Sequence, residues 1–332
     1  MTEPQHLKRR DFRALVCITA CRRFWALRRY LPHYAEFCDR DPRFELLVTL
    51  DGTEPEYVDF CGRWQIPLVY SDEREGVGLS KNRVLERFAE HDYYFFIEDD
   101  VELMDGRVFD AHVDMALSSD IHHFSLFARG GARKPQSESL IAGHRVVHAS
   151  YGGAHFNFFT REGLEKVGGW HPLFAEYKRW GHTEHSLRFS TQGLAPAPFN
   201  VAEDLARCFI WHYPPMVTRP LNVPIDEDQI VAPERALIEQ RIGHVPVTTI
   251  SPHHVNRVAF ARSSELADLM RSGERYPLVG GRERLACRSD YQLWRSAEAD
   301  GWVERLFRLV WATLLSPRNP AVRHAIKTWL ER

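Results

Sequence analysis

Short apolar runs that alternate with segments of helical pattern dominate the first hundred residues. The runs cover residues 14–18, 44–50, 66–70 and 93–97. They are continuous rather than alternating, which predicts strands that are buried on both faces of a parallel sheet. We therefore expect an α/β fold with a Rossmann-like, mostly parallel central sheet and helices on both faces. In such a sheet, ligands bind beyond the carboxyl ends of the strands.

The pattern changes after residue 105. Strands are expected at residues 122–128 and 146–149, on either side of a Gly/Ser-rich, basic segment at 129–145. This segment has no apolar periodicity, so we expect a mobile loop there. The remaining predicted elements are a strand at 156–159, helices at 161–167 and 182–189, and a strand at 208–213.

Composition excludes several classes of protein. The chain has 332 residues and a net charge of −2, which argues against a dedicated nucleic-acid-binding protein. No apolar run approaches the roughly 20 residues of a membrane-spanning helix, and residues 1–13 lack the apolar core of a signal peptide. The six cysteines are scattered, which favours reduced thiols over disulfides or a zinc site. We therefore expect a cytoplasmic protein.

Three consecutive acids, Glu98, Asp99 and Asp100, directly follow the apolar strand at 93–97. Carboxylates placed so close together repel one another unless a cation lies between them. Their hard oxygen atoms suit Mg²⁺ or Mn²⁺. The alternative is a solvated acidic turn.

A second polar segment, Gly78-Leu79-Ser80-Lys81-Asn82, begins the helix that precedes this strand. A helix N-terminus with a nearby lysine attracts phosphate, although an ordinary capped helix has the same pattern. Gly76 and Gly78 follow the third strand and lack the third glycine of a dinucleotide-binding motif, which excludes that motif.

Taken in order, these and later segments resemble the motifs of inverting family 2 glycosyltransferases and their GT-A fold relatives. The matching segments are Thr19-Ala20-Cys21-Arg22, Leu50-Asp51-Gly52-Thr53, Gly78-Leu79-Ser80-Lys81-Asn82, Phe96-Ile97-Glu98-Asp99-Asp100-Val101, Gly152-Gly153, Phe158-Phe159-Thr160-Arg161, Val167-Gly168-Gly169-Trp170 and Gly181-His182-Thr183-Glu184-His185-Ser186-Leu187-Arg188. The resemblance covers residues 12–213 and implies a GT-A catalytic domain over residues 1–215. The activity it implies is transfer of a sugar from a nucleotide-diphosphate sugar, UDP-sugar being favoured, to a hydroxyl of a glycan or lipid-linked glycan, with inversion.

The resemblance also implies roles for residues of the donor site. Thr19 and Arg22 would lie beside the nucleotide, and Asp51 would accept a hydrogen bond from its base. Lys81 stands where the family commonly has arginine and would point towards the base or the diphosphate.

The acidic segment resembles the family's Asp-x-Asp motif, with Glu98 as a mild departure at its first position. Glu98 and Asp99 would then contact the nucleotide, and Asp100 would bind Mn²⁺ or Mg²⁺ directly. His212, at the end of a late predicted strand, would be a further metal ligand. The alternative is that His212 is an ordinary residue at the end of a strand.

Glu184 is the only carboxylate in the 181–188 segment, where the family keeps its catalytic base. It would take the proton from the acceptor hydroxyl. Because Glu184 and Arg188 are four residues apart on a predicted helix, an ion pair between them is the alternative.

Other residues are candidates for binding the acceptor or the diphosphate. They are Gly152, Gly153, Trp170, Tyr177, Trp180, His182 and His185. For the aromatic residues, packing in the core is an equally good explanation.

Residues 216–332 are expected to form a mainly helical extension that could contact the acceptor, another subunit or a membrane surface. Its segment 302–332 has six Lys and Arg against two Glu, which suits either a helix on an anionic inner membrane face or one packed on the catalytic domain. Two other functions stay open: a nucleotidyltransferase on a similar sheet, and a protein that binds nucleotides or carbohydrates without catalysis.

Overall fold

A computed structural model describes residues 11–126, 133–153, 155–176, 181–211 and 240–256. All of them belong to one compact unit, which comprises residues 1–211 and 215–274. Several residues of the sequence predictions lie outside the described ranges, namely Tyr177, Trp180, His212 and the segment 302–332.

The strands form one large sheet and two small ones. Their bounds are β1 Ala14–Ala20, β2 Phe44–Leu50, β3 Leu68–Ser71, β4 Tyr93–Glu98, β5 Val101–Leu103, β6 His123–Leu126, β7 Arg133–Ile141, β8 His144–Tyr151, β9 Phe156–Thr160, β10 Phe199–Ala202, β11 Phe209–Trp211 and β12 His253–Asn256. The central sheet has seven strands in the order β12-β3-β2-β1-β4-β9-β6. Neighbours from β3 to β4 are parallel, whereas β12 and β9 run antiparallel to the strands beside them. The predicted α/β class with a mostly parallel sheet is confirmed.

Helices connect the parallel strands. Their bounds are α1 Phe24–Arg40, α2 Pro55–Arg63, α3 Val77–Arg87, α4 Arg107–Leu117, α5 Arg161–Val167, α6 Pro172–Glu176 and α7 Gly181–Thr191, with a 3₁₀ helix at Glu203–Cys208. Leu27, Leu31 and Tyr34 are buried along one side of α1, as their spacing predicts. Every residue of β1 is buried. Because successive side chains of a strand point to opposite faces, this burial shows that both faces of the sheet are covered there.

The prediction of a mobile loop at 129–145 is wrong for most of this segment, because β7 covers residues 133–141 and β8 begins at His144. β7 pairs antiparallel with β8, and β10 pairs with β8 on its other edge. From Pro135 to Leu140, the β7 side chains are exposed or half-buried. The strand is held by main-chain hydrogen bonds to β8 and does not need an apolar face, so its sequence has no apolar pattern to predict it.

The described part of the predicted extension, residues 240–256, contributes to the same unit. β12 adds an edge strand beside β3, and Val245 forms a bridge with Gly168. Gly168 has a φ of +76°, and a Cβ there would collide with the carbonyl oxygen of Val245, so only glycine suits this position. The predicted domain boundary at residue 215 stays a prediction. Within the described residues, the structure contains no helix of the length and apolarity that crossing a bilayer requires.

Candidate functional site

The carboxyl ends of β1 and β4 lie side by side at the centre of the sheet. Thr19 pairs in register with Glu98, and its hydroxyl donates a hydrogen bond to the carbonyl oxygen of Ile97 at 3.1 Å. The amide of Asp99 donates to the carbonyl oxygen of Thr19 at 3.1 Å. Thr19 therefore joins the two strands directly beneath the three acids.

Arg23, in the turn between β1 and α1, contacts all three acids. Its Nη2 lies 2.5 Å from Asp99 Oδ1, its Nη1 lies 2.7 Å from Asp100 Oδ2, and Glu98 Oε2 is 3.9 Å from Nη2. The second oxygen of Asp99 accepts a hydrogen bond from the Cys21 amide at 3.2 Å. The acidic segment is thus a buried charge cluster rather than a solvated turn.

Burial and mutual repulsion shift the proton affinities of these acids. Burial raises the pKa of Asp99 to about 6, although the charge of Arg23 opposes this. Burial also raises the pKa of Asp100 well above its ordinary value, and the neighbouring Glu98 charge adds to the effect. For Glu98, the positive charges around it outweigh burial, so its pKa is lowered.

Asp100 retains one oxygen that suits a metal ion. Oδ1 is buried and has no hydrogen-bond partner, while Oδ2 is paired with Arg23. An unpartnered carboxylate oxygen in a buried cluster is the kind of ligand that a hard divalent cation takes. Within the described residues, no group of three or more His, Cys, Asp and Glu is arranged to bind a metal. An ion at Asp100 would therefore need ligands from its substrate, from water or from residues outside these ranges, where His212 lies.

His155 is a site residue that the sequence did not single out. Its carbonyl oxygen accepts a hydrogen bond from the Glu98 amide at 2.8 Å, which extends the antiparallel pairing of β4 with β9. The imidazole lies 6.1 Å from the ring of Trp211, centroid to centroid. Burial lowers the pKa of His155, although the charge of Glu98 opposes this. His155 lies beside Glu98 because β9 pairs with β4, and this pairing cannot be read from the sequence.

Asp51 secures the loop before α3. Its Oδ1 accepts hydrogen bonds from the amides of Glu75 and Gly76, both at 2.8 Å, and its Oδ2 lies 3.6 Å from Arg74 Nε. Arg22 is exposed nearby, and its amide donates to Glu54 Oε1 at 3.2 Å. The contacts that the resemblance implies between these two residues and a nucleotide stay predictions.

Lys81 is buried at the base of the site. Its Nζ lies 5.6 Å from the centroid of Phe96 and 5.0 Å from that of Trp170, within range of cation–π attraction. Burial lowers the pKa of Lys81 to about 8, and the charge of Glu98 partly opposes this. Lys81 therefore carries a positive charge at neutral pH and loses its proton as the pH rises through about 8.

Trp170 and His185 pack against each other in the core. Their rings are stacked with centroids 4.1 Å apart, and Trp170 is only 3% exposed. His185 Nε2 is 3.0 Å from the carbonyl oxygen of Gly168, and burial lowers the pKa of this histidine well below its ordinary value. The packing that was the alternative for Trp170 is thus observed, and His185 is packed against it. The predicted contacts of both residues with a ligand stay predictions.

Glu184 forms the ion pair that its spacing from Arg188 allowed. Glu184 Oε1 lies 2.8 Å from Arg188 Nε, and Oε2 accepts from Nη2 at 3.0 Å. Arg188 also donates to the carbonyl oxygens of Val167 at 2.5 Å and Gly169 at 2.6 Å. Burial raises the pKa of Glu184, although Arg188 opposes this. The role of Glu184 as a base stays a prediction.

His182 stands at the start of α7, where it shares an electrostatic environment with the acids. Burial lowers its pKa to about 4, the charge of Lys81 lowers it further, and Glu98 and a hydrogen bond with the Gly152 main chain oppose the shift. Gly152 is buried and Gly153 half-buried. The structure thus brings together His182, Gly152, Lys81 and Glu98.

Comparisons with known proteins give structural similarity only. No family model and no curated protein matches the sequence. Among solved structures, the chain is similar to a mannosyltransferase from Pyrobaculum calidifontis in complex with GDP-Man and Mn²⁺, with 17% identity and a TM-score of 0.42 over 57% of this chain and 56% of that one. It is similar to S. aureus TarS, with 13% identity and a TM-score of 0.39 over 53% of this chain and 54% of that one.

A third similar structure is glucosyl-3-phosphoglycerate synthase from Mycobacterium tuberculosis in complex with Mn²⁺, UDP and glucosyl-3-phosphoglycerate. Identity is 14% and the TM-score 0.44, over 73% of this chain and 84% of that one. The chain spans just over half the length of the first two proteins. The predicted GT-A type fold agrees with these structures. At these identities the similarity is one of fold.

Proposed function

We propose that this protein is a metal-dependent, inverting glycosyltransferase that uses a nucleotide-diphosphate sugar, with UDP-sugar favoured. Its acceptor would be a hydroxyl of a glycan or lipid-linked glycan. The observation that supports this most is the buried acidic cluster at the carboxyl ends of β1 and β4, in which Asp100 Oδ1 is left without a partner. The order of sequence motifs that resembles family 2 glycosyltransferases agrees with this position.

Asp100 would hold the metal ion, with His212 as a further ligand. When bound, a divalent ion offsets the negative charge that develops on the leaving diphosphate. Arg23 would stay on the opposite oxygen of Asp100 and keep the carboxylate in place.

Lys81 supplies a second positive charge beneath the cluster. Below pH 8 its ammonium group is charged. In a buried site, a fixed charge of this kind stabilises a developing negative charge without reorganising solvent. We propose that Lys81 favours departure of the diphosphate mainly through this field.

The nucleotide would lie over Thr19, Arg22 and Asp51, with Glu98 and Asp99 at its ribose side. One oxygen of Asp51 is already used by the amides of the loop, so Oδ2 would be the atom that accepts from the base. The acceptor would approach from the side of His182, Gly152 and Gly153.

Glu184 is proposed as the base that takes the proton of the acceptor hydroxyl. Its raised pKa makes it a better proton acceptor than a free carboxylate. Since both of its oxygens contact Arg188, proton transfer requires at least one of these contacts to open.

A thermal-shift panel of nucleoside diphosphates with and without Mn²⁺ tests the donor site. Ligand binding raises stability as RT ln(1 + [L]/Kd), so the matching nucleotide should stand out, and its shift should depend on Mn²⁺. Asp100→Asn should remove the Mn²⁺ dependence. Asp59→Asn, which neutralises an exposed acid on α2, is the matched control and should leave it intact. A flat panel would contradict the donor site.

Binding without catalysis is the second candidate, because the only acid of the 181–188 segment is held in a buried ion pair. Catalytic turnover of a nucleotide sugar distinguishes a glycosyltransferase from a protein that only binds nucleotides or carbohydrates. Hydrolysis of a nucleotide sugar by the wild-type protein, lost in Asp100→Asn, would exclude a purely binding role.

A further inference from the structure

The turn that carries Arg23 is fixed from three sides. The amide of Cys21 donates to Asp99 Oδ2, that of Arg22 to Glu54 Oε1, and that of Arg23 to Tyr57 Oη at 2.7 Å. Arg23 itself is mostly buried, with 18% of its side chain exposed. The guanidinium group is therefore held in place over the acids by its main chain as well as by its charges.

Arg23 contacts one oxygen of each acid, and the contacts with Asp99 and Asp100 are the close ones. Both oxygens of Asp99 have contacts, one with Arg23 and one with the Cys21 amide. Asp100 Oδ2 is 2.7 Å from Arg23 Nη1, whereas Asp100 Oδ1 is buried, has no hydrogen bond and, unlike Asp99 Oδ1, does not contact Arg23. A divalent ion such as Mg²⁺ takes about six oxygen ligands. Asp99 and Asp100, which Arg23 holds, would supply few of these six oxygen ligands.

We propose that Arg23 is a positioning residue that reserves a single oxygen of Asp100 for the metal ion, so that the ion binds together with a nucleoside diphosphate rather than before it. The inference rests on the proposed function. A diphosphate provides the oxygen ligands that the paired acids withhold, and it offsets the positive charge of Arg23. Because binding linkage is reciprocal, Mn²⁺ and the diphosphate then each strengthen the binding of the other.

Removing the guanidinium group of Arg23 should make the binding of Mn²⁺ less dependent on the nucleotide. Without this group, Asp99 and Asp100 can both turn towards a cation once they are ionised, and a positive charge that repels the ion is gone. For a divalent ion about 6 Å from a unit charge in a water-like medium, the lost repulsion alone corresponds to about tenfold in affinity. Mn²⁺ should therefore bind more tightly in the absence of nucleotide, and the nucleotide should strengthen its binding less.

The experiment measures free Mn²⁺ by electron paramagnetic resonance during titration of the full chain, without nucleotide and with UDP or GDP. Arg23→Met removes the charge and keeps much of the stem. Arg23→Lys keeps the charge, but a single ammonium cannot hold two carboxylates in a fork. Arg29→Met is the matched control, because it removes the charge of an arginine on α1 that is exposed and forms no ion pair with the acids among the described residues. Thermal unfolding verifies that each variant is folded.

We expect Arg23→Met to bind Mn²⁺ alone about tenfold more tightly than the wild type, with a smaller gain on adding UDP or GDP. Arg23→Lys should fall between the two, and Arg29→Met should stay close to the wild type. Unchanged or weaker Mn²⁺ binding in both Arg23 variants, with nucleotide-dependent binding in the wild type, overturns the inference and leaves the proposed function standing. If the wild type binds no Mn²⁺ even with UDP or GDP, the metal part of the proposed function fails as well.

Discussion

Replacing Arg188 by methionine tests whether the pair of Glu184 and Arg188 holds the site together. Arg188 is 2% exposed, contacts both oxygens of Glu184 and donates to the carbonyl oxygens of Val167 and Gly169. Methionine retains an unbranched apolar stem but none of these donors. The variant thus leaves the Glu184 carboxylate and the Gly169 carbonyl group buried without these donors, whereas the Val167 carbonyl group keeps its hydrogen bond from the Val245 amide.

The magnitude follows from these contacts. Removing one partner of a buried ion pair costs about 3–5 kcal/mol, and the Gly169 carbonyl group left without a donor adds to this. We expect a loss of roughly 5 kcal/mol, a large part of the 5–15 kcal/mol that a typical domain has. Arg40→Met is the matched control, because Arg40 and Glu36 form an i,i+4 pair that is exposed. It should cost less than about 0.5 kcal/mol.

Urea unfolding followed by circular dichroism measures both variants against the wild type. A second arm adds Glu184→Leu to Arg188→Met, which removes the unpaired charge and should recover part of the loss. A loss in Arg188→Met no larger than that in Arg40→Met would refute the reasoning, since the pair would then behave as a surface pair.

Three further predictions concern single residues of the site. If Glu184 is the base, Glu184→Gln should remain folded and lower the rate of sugar transfer about 10²–10⁴-fold. Full activity of the variant would show that Glu184 is not the base and that its role is the ion pair with Arg188. Lys81 has its pKa lowered to about 8 from 10.5, so the folded chain releases this proton before the unfolded chain does. Its charge is lost as pH rises through 8: kcat/KM should fall there, and Lys81→Arg should move the fall to higher pH. Between pH 8 and 10.5, the stability of the wild type should rise relative to that of Lys81→Met, which a pH series of denaturation curves for both proteins measures. Asn82 bonds to the amide and carbonyl of Trp170 and to the carbonyl of Thr248, so Asn82→Ala should cost about 3 kcal/mol by urea unfolding; an unchanged midpoint would contradict this.

The central sheet could be predicted because its strands have apolar side chains on both faces. The runs at 44–50 and 93–97 agree with β2 and β4 to within one residue. β7 could not be predicted in this way. Its order comes from main-chain hydrogen bonds to β8, and its polar side chains would suit a loop equally well.

The candidate site was predictable only in part. Glu98, Asp99 and Asp100 are adjacent in sequence, so their mutual repulsion is visible without a structure. Arg23 and His155 are far from them along the chain, and sheet pairing brings them together: β1 lies beside β4 on one edge, and β9 on the other. The functional contacts of Glu184 and His182 stay predictions.

The parallel sheet and the concentration of negative charge at one strand end follow from residues that are close together in the chain, so both can be predicted from the amino-acid order. How that charge is balanced depends on contacts between distant segments and is visible in the folded chain. Arg23 reaches the acids across 76 residues of intervening chain, takes one oxygen of Asp100 and leaves the other. Burial of the cluster then decides its chemistry, since removal from water is what makes the pairing of each carboxylate count.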